Sequence, residues 1–278
     1  MRADPHPVTG QPFASPVPPG TGWPDDPATA QTPVARTAHD VARLASSAGS
    51  VQDVDAMSSV CRACPRLVEW RESVAIGGRR AAFADQPYWG RPGPSFGDPR
   101  ASKLIVGLAP AANGTNRTGR MFTGDRSGDW LYAALHRTGY ANQATSVAAG
   151  DGMALTGIRM VASVRCAPPA NRPTPDELAT CGHWLDRDLA LSAASPQGLS
   201  AILALGAVGW NAVLAAARRL GWGAPRPKPA FGHGAEVLLR LPGGAEVVRL
   251  RGCYHVSPHN TSTGRLTEEM LDAALRRL

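Results

Sequence analysis

Four of the five cysteines carry the clearest chemical signal in this 278-residue chain: Cys61-x2-Cys64, then about a hundred residues, then Cys166-x14-Cys181. Thiolates are soft ligands, and four of them suit either a tetrahedral zinc or a [4Fe-4S] cluster, so softness does not choose between the two. A zinc ribbon usually pairs two CxxC knuckles, whereas only Cys61 and Cys64 form one here; the other pair is wide and uneven. Ordinary buried cysteines are the plainer alternative. The start of the chain, Met1-Arg2-Ala3-Asp4-Pro5, lacks the apolar run of an export signal, so a cytoplasmic protein with unpaired cysteines is expected. Cys253, on an apolar strand just before His255, reads as a packed free thiol.

Three other segments gather residues that could bind or react. Gly107-Leu108-Ala109-Pro110-Ala111-Ala112-Asn113-Gly114 is rich in small residues that let backbone N–H groups approach a ligand. The Gly-Lys-Ser/Thr ending of a nucleotide-phosphate loop is missing, and a plain surface loop remains open. Its continuation, Met121-Phe122-Thr123-Gly124-Asp125, brings an aromatic and a carboxylate; Phe122 could be core, and Asp125 could simply cap a helix. Asn171, in Pro168-Pro169-Ala170-Asn171-Arg172-Pro173, can donate and accept at once or complete a turn. Near the end stands His255-Val256-Ser257-Pro258-His259-Asn260, with Arg265 beyond.

These segments need elements to hold them, and the hydrophobic pattern supplies an alternating series typical of one doubly wound α/β domain with a mainly parallel central sheet flanked by helices. Strands are expected at Lys103–Leu108, Ile158–Val164, Ala201–Leu205, Glu236–Leu241 and Glu246–Arg251, with a hairpin turn at Pro242-Gly243-Gly244. Thr174-Pro175-Asp176-Glu177 has an N-cap, a proline at the first helical position and a Glu placed to close a capping box. Leu178, Cys181, Leu185 and Leu189 follow on one face. A last helix is expected from near Thr267, its acidic and basic ends matched to the dipole. The small-residue loop then falls beyond the carboxyl end of a strand, where ligands of open α/β sheets bind.

Nine of the 25 prolines lie within the first 33 residues. Residues 1–38 therefore read as a disordered Pro-rich tail and 39–278 as the folded α/β domain. The stretch from Ala201 to Ala217 is short and interrupted for a membrane span, and a buried strand turning into a helix fits it better. A formal net charge of +7 suits a polyanionic partner.

Together, the three motifs and four cysteines, in this order over residues 58 to 278, resemble the iron–sulfur uracil-DNA glycosylases, most closely their family 5, or type B. The resemblance implies a [4Fe-4S] cluster at the periphery of the domain on Cys61, Cys64, Cys166 and Cys181. It implies a base pocket built by Gly107, Ala109, Ala111, Phe122 and Asn171, with Phe122 stacking on an extruded base and Asn171 pairing with the uracil edge. His255 would stabilise the departing uracil anion. His259 and Asn260 would enter the duplex, and Ser257 or Arg265 would contact phosphate. Relatives of other families carry a water-activating carboxylate where this chain has Leu108 and Ala109; the family 5 pattern supplies Asp125 instead. Ala111 stands where family 1 has a Tyr that blocks thymine, which implies a wider pocket accepting other deaminated or etheno-modified bases.

The activity implied is that of a monofunctional, monomeric glycosylase that acts on single- or double-stranded DNA, leaves an abasic site and has no membrane partner. Two rivals come from other classes: a zinc-stabilised nucleic-acid-binding protein without catalysis, and an iron–sulfur electron carrier.

Overall fold

The computed structural model describes residues 3–244 and 246–278. Two short strands, β1 (Ala3–Pro5) and β2 (Pro12–Ala14), pair antiparallel at the start. Helices α1 (Ala38–Ser47) and α2 (Val51–Ser59) each begin with a capping box, Thr37 with Asp40 and Ser50 with Asp53. Then α3 (Pro65–Ile76) starts with Cys64 at its N-cap and a proline in its first turn. The remaining elements alternate: β3 (Phe96–Gly97), β4 (Lys103–Gly107), α4 (Thr115–Thr118), α5 (Arg126–Arg137), β5 (Ile158–Ala162) and α6 (Pro175–Ala193). They continue with β6 (Ala201–Leu205), α7 (Gly206–Arg219), β7 (Glu236–Arg240), β8 (Val247–Cys253), α8 (Pro258–Ser262) and α9 (Glu268–Arg276).

The expected doubly wound arrangement is present. Among the described residues a six-stranded sheet runs in the order β3-β5-β4-β6-β8-β7, with β5, β4, β6 and β8 parallel and both edge strands antiparallel. Ile105 of β4 faces a core built with Leu131 and Leu135 of α5 and Leu271 and Leu275 of α9. Leu104 and Val106 face the other side, with Leu185 and Leu189 of α6 and Trp210 and Leu214 of α7. Burial on both faces is why these strands are continuously apolar rather than alternating. Gly206 turns β6 straight into α7 with φ of 86°, a left-handed conformation that glycine adopts without steric cost. The predicted capping box forms at Thr174 and Glu177, and Thr267 caps α9. Four parallel strands thus deliver their carboxyl ends to one edge of the sheet. No helix among the described residues is long and apolar enough to cross a membrane.

Between β5, α2 and α6 lies a largely buried set of charges. Arg159 of β5 donates to Asp188 of α6 at 2.8 Å and to Asp55 of α2 at 2.6 Å. Arg165 donates to the second oxygen of Asp188 and to Ser95 Oγ at 2.7 Å, while Ser95 N–H donates to Asp55 at 2.8 Å. Arg159, Arg165 and Asp188 are all buried. Removing one partner of such a set leaves a buried charge uncompensated, at a cost of about 3–5 kcal/mol.

The expectation of a disordered tail is overturned. Its first two residues lie outside the described ones, but residues 3–37 pack on the domain. Phe13, Val17 and Trp23 are buried with Trp89 and Ala149 in one cluster. Asp26 pairs with Arg91 at 2.6 Å, and Asp4 with Arg79 at 2.7 Å. A proline-rich segment has few unfolded states to lose, so a handful of well-placed aromatics suffices to hold it. Each fully buried side chain of this kind contributes about 1.5–3 kcal/mol. Deleting residues 1–37 is therefore expected to lower the thermal unfolding midpoint by about 10 °C; calorimetry showing an unchanged midpoint would refute the docking.

Candidate active site and cysteine cavity

At the carboxyl end of β4 the chain has a glycine because an aromatic ring covers it. A Cβ built on Gly107 would lie 2.9 Å from the Cζ of Phe122. Phe122 itself has φ of 51°, a conformation costly for a side chain and expected where function holds it. The turn around it is tied by Thr123, whose N–H donates to Arg120 O at 3.2 Å, and by Tyr132 Oη, which donates to Met121 O at 2.8 Å. His255, just past β8, brings its ring to 6.5 Å from that of Phe122, tilted by 38°. Asn260 donates its amide to the His255 carbonyl at 2.8 Å and so fixes the backbone there. Burial lowers the His255 pKa below 6.5, which keeps the imidazole neutral at neutral pH.

Asp125 takes the capping role open to it in the sequence and keeps one carboxylate oxygen out of the cap. One carboxylate oxygen accepts from Gly128 N–H at 3.0 Å and caps α5. The other is seated against Gly114, where any Cβ would collide with it. The half-buried carboxyl has its pKa raised, chiefly by desolvation; the Gly128 and Ser127 N–H groups and Arg117 pull it back down. A partly desolvated carboxylate with one oxygen committed to a helix and one free of it is equipped to orient water.

Other expected residues are placed more variously. Ala111 lies half-buried beside Gly114. Ala109 packs on the cluster of Leu67, Val164 and Cys166 that Cys64 and Cys181 also touch, so it links this loop to the cysteine region. Asn171 is exposed at the end of a short 3-10 turn, Pro169–Asn171, with φ of 55°. Past β8, Ser257 is half-buried at the start of α8 and His259 is exposed. The Arg265 guanidinium sits 4.6 Å over the Tyr254 ring.

Cys61, Cys64, Cys166 and Cys181 line one cavity, along with Leu67, Arg71 and Trp184. Arg71 donates to Cys166 Sγ at 2.8 Å, and Arg165 N–H donates to Cys181 Sγ at 3.3 Å. Donors aimed at sulfur suit thiolates better than thiols. Burial pushes the Cys61 thiol up to about 11 and Cys64 up to about 12, so a bound cation is what would keep them ionised in place. Among the described residues no three of His, Cys, Asp or Glu are grouped to hold a single metal ion. Cys253 is buried in the main core, away from this set.

Sequence reasoning missed the arginines. Arg71, Arg117, Arg159 and Arg165 are all buried, and in the sequence they read as contributors to net charge. A local signal existed only for Arg117, in Asn116-Arg117-Thr118-Gly119-Arg120, where two arginines sit in an otherwise small-residue loop.

A family model described as the uracil DNA glycosylase superfamily matches residues 94–278. A type-5 uracil-DNA glycosylase of Mycobacterium bovis is 57% identical over 271 residues, covering 98% of this chain and 96% of that protein. Similar type-5 enzymes from Thermus thermophilus and Pyrobaculum aerophilum are 47% and 42% identical, covering 76% and 86% of this chain and 89% and 96% of their own.

His255 and Asp125 should have their pKa values displaced in opposite senses. NMR titration is expected to place His255 below 6.5 and Asp125 above 3.8. A His255 imidazole that charges at its ordinary pH would show that the burial is not maintained in solution.

Proposed function

The chain belongs to the uracil-DNA glycosylase superfamily, and from that membership we propose that it excises uracil from DNA through Asp125, Phe122 and His255 in DNA repair. It is a hydrolase of N-glycosyl bonds. Inside a duplex that bond is out of reach, so the nucleotide must be turned out of the stack, which costs least for a mispaired base. The transition state has a cationic sugar and an anionic base. The Asp125 carboxylate orients the water and opposes the developing positive charge, while neutral His255 donates a hydrogen bond to the base oxygen as negative charge grows there. Phe122 supplies a flat surface for the extruded ring. Asn171, on its exposed turn, reads the uracil edge with both halves of its amide. Ser257, His259, Asn260 and Arg265 face the DNA backbone and the gap left by the base.

What supports this reading most directly is the seating of Phe122 against Gly107 with His255 beside it, and of Asp125, three residues on, against Gly114. All three follow parallel strands at the ligand-binding edge of the sheet. Small Ala111 leaves room beside the pocket, and on that ground hypoxanthine, xanthine and etheno-cytosine belong in the substrate panel. Labelled duplexes carrying each base, followed by alkali to cut abasic sites, give the assay. Asp125→Asn keeps the shape and the cap but removes the charge, and is expected to lower turnover by roughly a hundredfold or more with an unchanged melting temperature. Near-wild-type cleavage by the folded variant would remove Asp125 from the mechanism.

Cys61, Cys64, Cys166 and Cys181 would hold a [4Fe-4S] cluster, their donor set and the N–H groups aimed at Cys166 and Cys181 being what such a group needs. When bound it would tie α3, α6 and the Asn171 loop together; hydrolysis of a glycosidic bond transfers no electron. Metal analysis of purified protein is expected to give iron well above zinc, and Cys166→Ala to lose colour and solubility together. Stoichiometric zinc without iron would sink the assignment.

A further inference from the structure

Arg117 is buried between the two backbone segments that form the seat of Asp125. Its Nε donates to the carbonyl of Asn113 at 3.0 Å, one residue before Gly114. Its Nη2 donates to the carbonyl of Gly124 at 3.0 Å, one residue before Asp125 itself. Gly114 and Asp125 are the two groups pressed against each other, so one guanidinium fixes both sides of that contact. Gly124 has no side chain where Arg117 lies: a Cβ there would collide with Nη2. The third donor, Nη1, goes to Gln86 Oε1 at 2.8 Å, and the guanidinium lies 3.9 Å over the Phe83 ring. Gln86 is held in turn through its own carbonyl by Arg79 at 2.8 Å.

We propose that Arg117 is a positioning residue for the reaction, setting where the Asp125 carboxylate sits. The proposal rests on the reading of Asp125 as the water-orienting group. Five donors in a rigid planar fork suit a clasp on two separate carbonyls, and lysine could not reproduce it. The charges facing the carboxyl are few. Asp129 of α5 pushes its pKa up along with burial, and Arg117 brings it down. Behind Arg117 stands Tyr88, itself flanked by Arg79 and Arg80. Without Arg117 the carboxyl would protonate at a higher pH, and activity that needs the carboxylate would be lost earlier on acidification.

The test is a pH–rate profile on uracil-containing duplex for the wild type, Arg117→Gln, Arg117→Lys and Asp125→Asn. Arg117→Gln is expected to lower kcat about tenfold to a hundredfold, with KM changed less than about twofold, and to move the acid limb toward neutral pH. Arg117→Lys keeps the charge but not the fork, so kcat should stay low while the acid limb returns toward wild type. A merely structural arginine predicts a lower melting temperature and an unmoved acid limb. A folded Arg117→Gln enzyme with wild-type kcat and acid limb overturns the proposal, provided Asp125→Asn is inactive; an active Asp125→Asn enzyme instead overturns the reading beneath it. If Arg117→Gln does not fold, Gln86→Met removes only the outer acceptor. It should then lower kcat by a smaller factor and leave the acid limb in place, and an unchanged kcat would count against the proposal.

Discussion

The pairing of Arg159 and Arg165 with Asp55 and Asp188 is the constraint on which the rest of this structure depends. Four charges taken out of water are stable only if each finds its partners in good geometry, so α2, β5 and α6 have one mutual placement. Cys61 follows α2 by two residues, Cys166 adjoins Arg165, and Cys181 lies on α6. The same arrangement that satisfies the charges therefore brings three cysteines to one cavity, with Cys64 carried in by the start of α3. Arg165 serves both sides directly, since its side chain joins the charge set while its N–H donates to Cys181.

From this anchor the sheet edge is organised by close approach rather than by charge. Gly107 and Gly114 are bare so that Phe122 and Asp125 can lie against backbone. Arg117 then braces the loop from behind, and its support runs through Gln86 and Arg79 to Asp4 in the N-terminal segment. A segment far from the reacting groups thus belongs mechanically to the site.

How far the sequence could be read depended on how local the physics was. The capping box at Thr174 and Glu177, the turn of β6 into α7 and the apolar strands depend on near neighbours, and they were legible to within a residue or two. The cysteine set was legible because its residue type and spacing are rare. Asp125 was ambiguous, and the geometry explains why: a single carboxylate has two oxygens, and here one caps α5 while the other lies against Gly114. The packing of residues 3–37 was not legible, since Phe13, Val17 and Trp23 follow no period and are buried by Trp89, far along the chain. The arginine braces were invisible for a similar reason. Arg71 and Arg117 bond mostly to backbone carbonyls, which every residue has, and the carboxylates that hold Arg159 and Arg165 lie far along the chain, so no spacing announces them.

Among the described residues, four non-glycine residues have left-handed backbone: Asp25, Phe122, Ala170 and Asn171. Three of them lie on the two loops that present Phe122 and Asn171. For an L-residue this conformation costs roughly 1–2 kcal/mol, so each is a standing opportunity for glycine to raise the stability of the folded chain. A selection for thermal endurance alone would exploit it, erasing the flat ring and the amide in favour of a sturdier, emptier loop. Stability screens on this protein will thus point toward the positions that have most to lose, and a variant library ranked by melting temperature would need to hold Phe122 and Asn171 fixed.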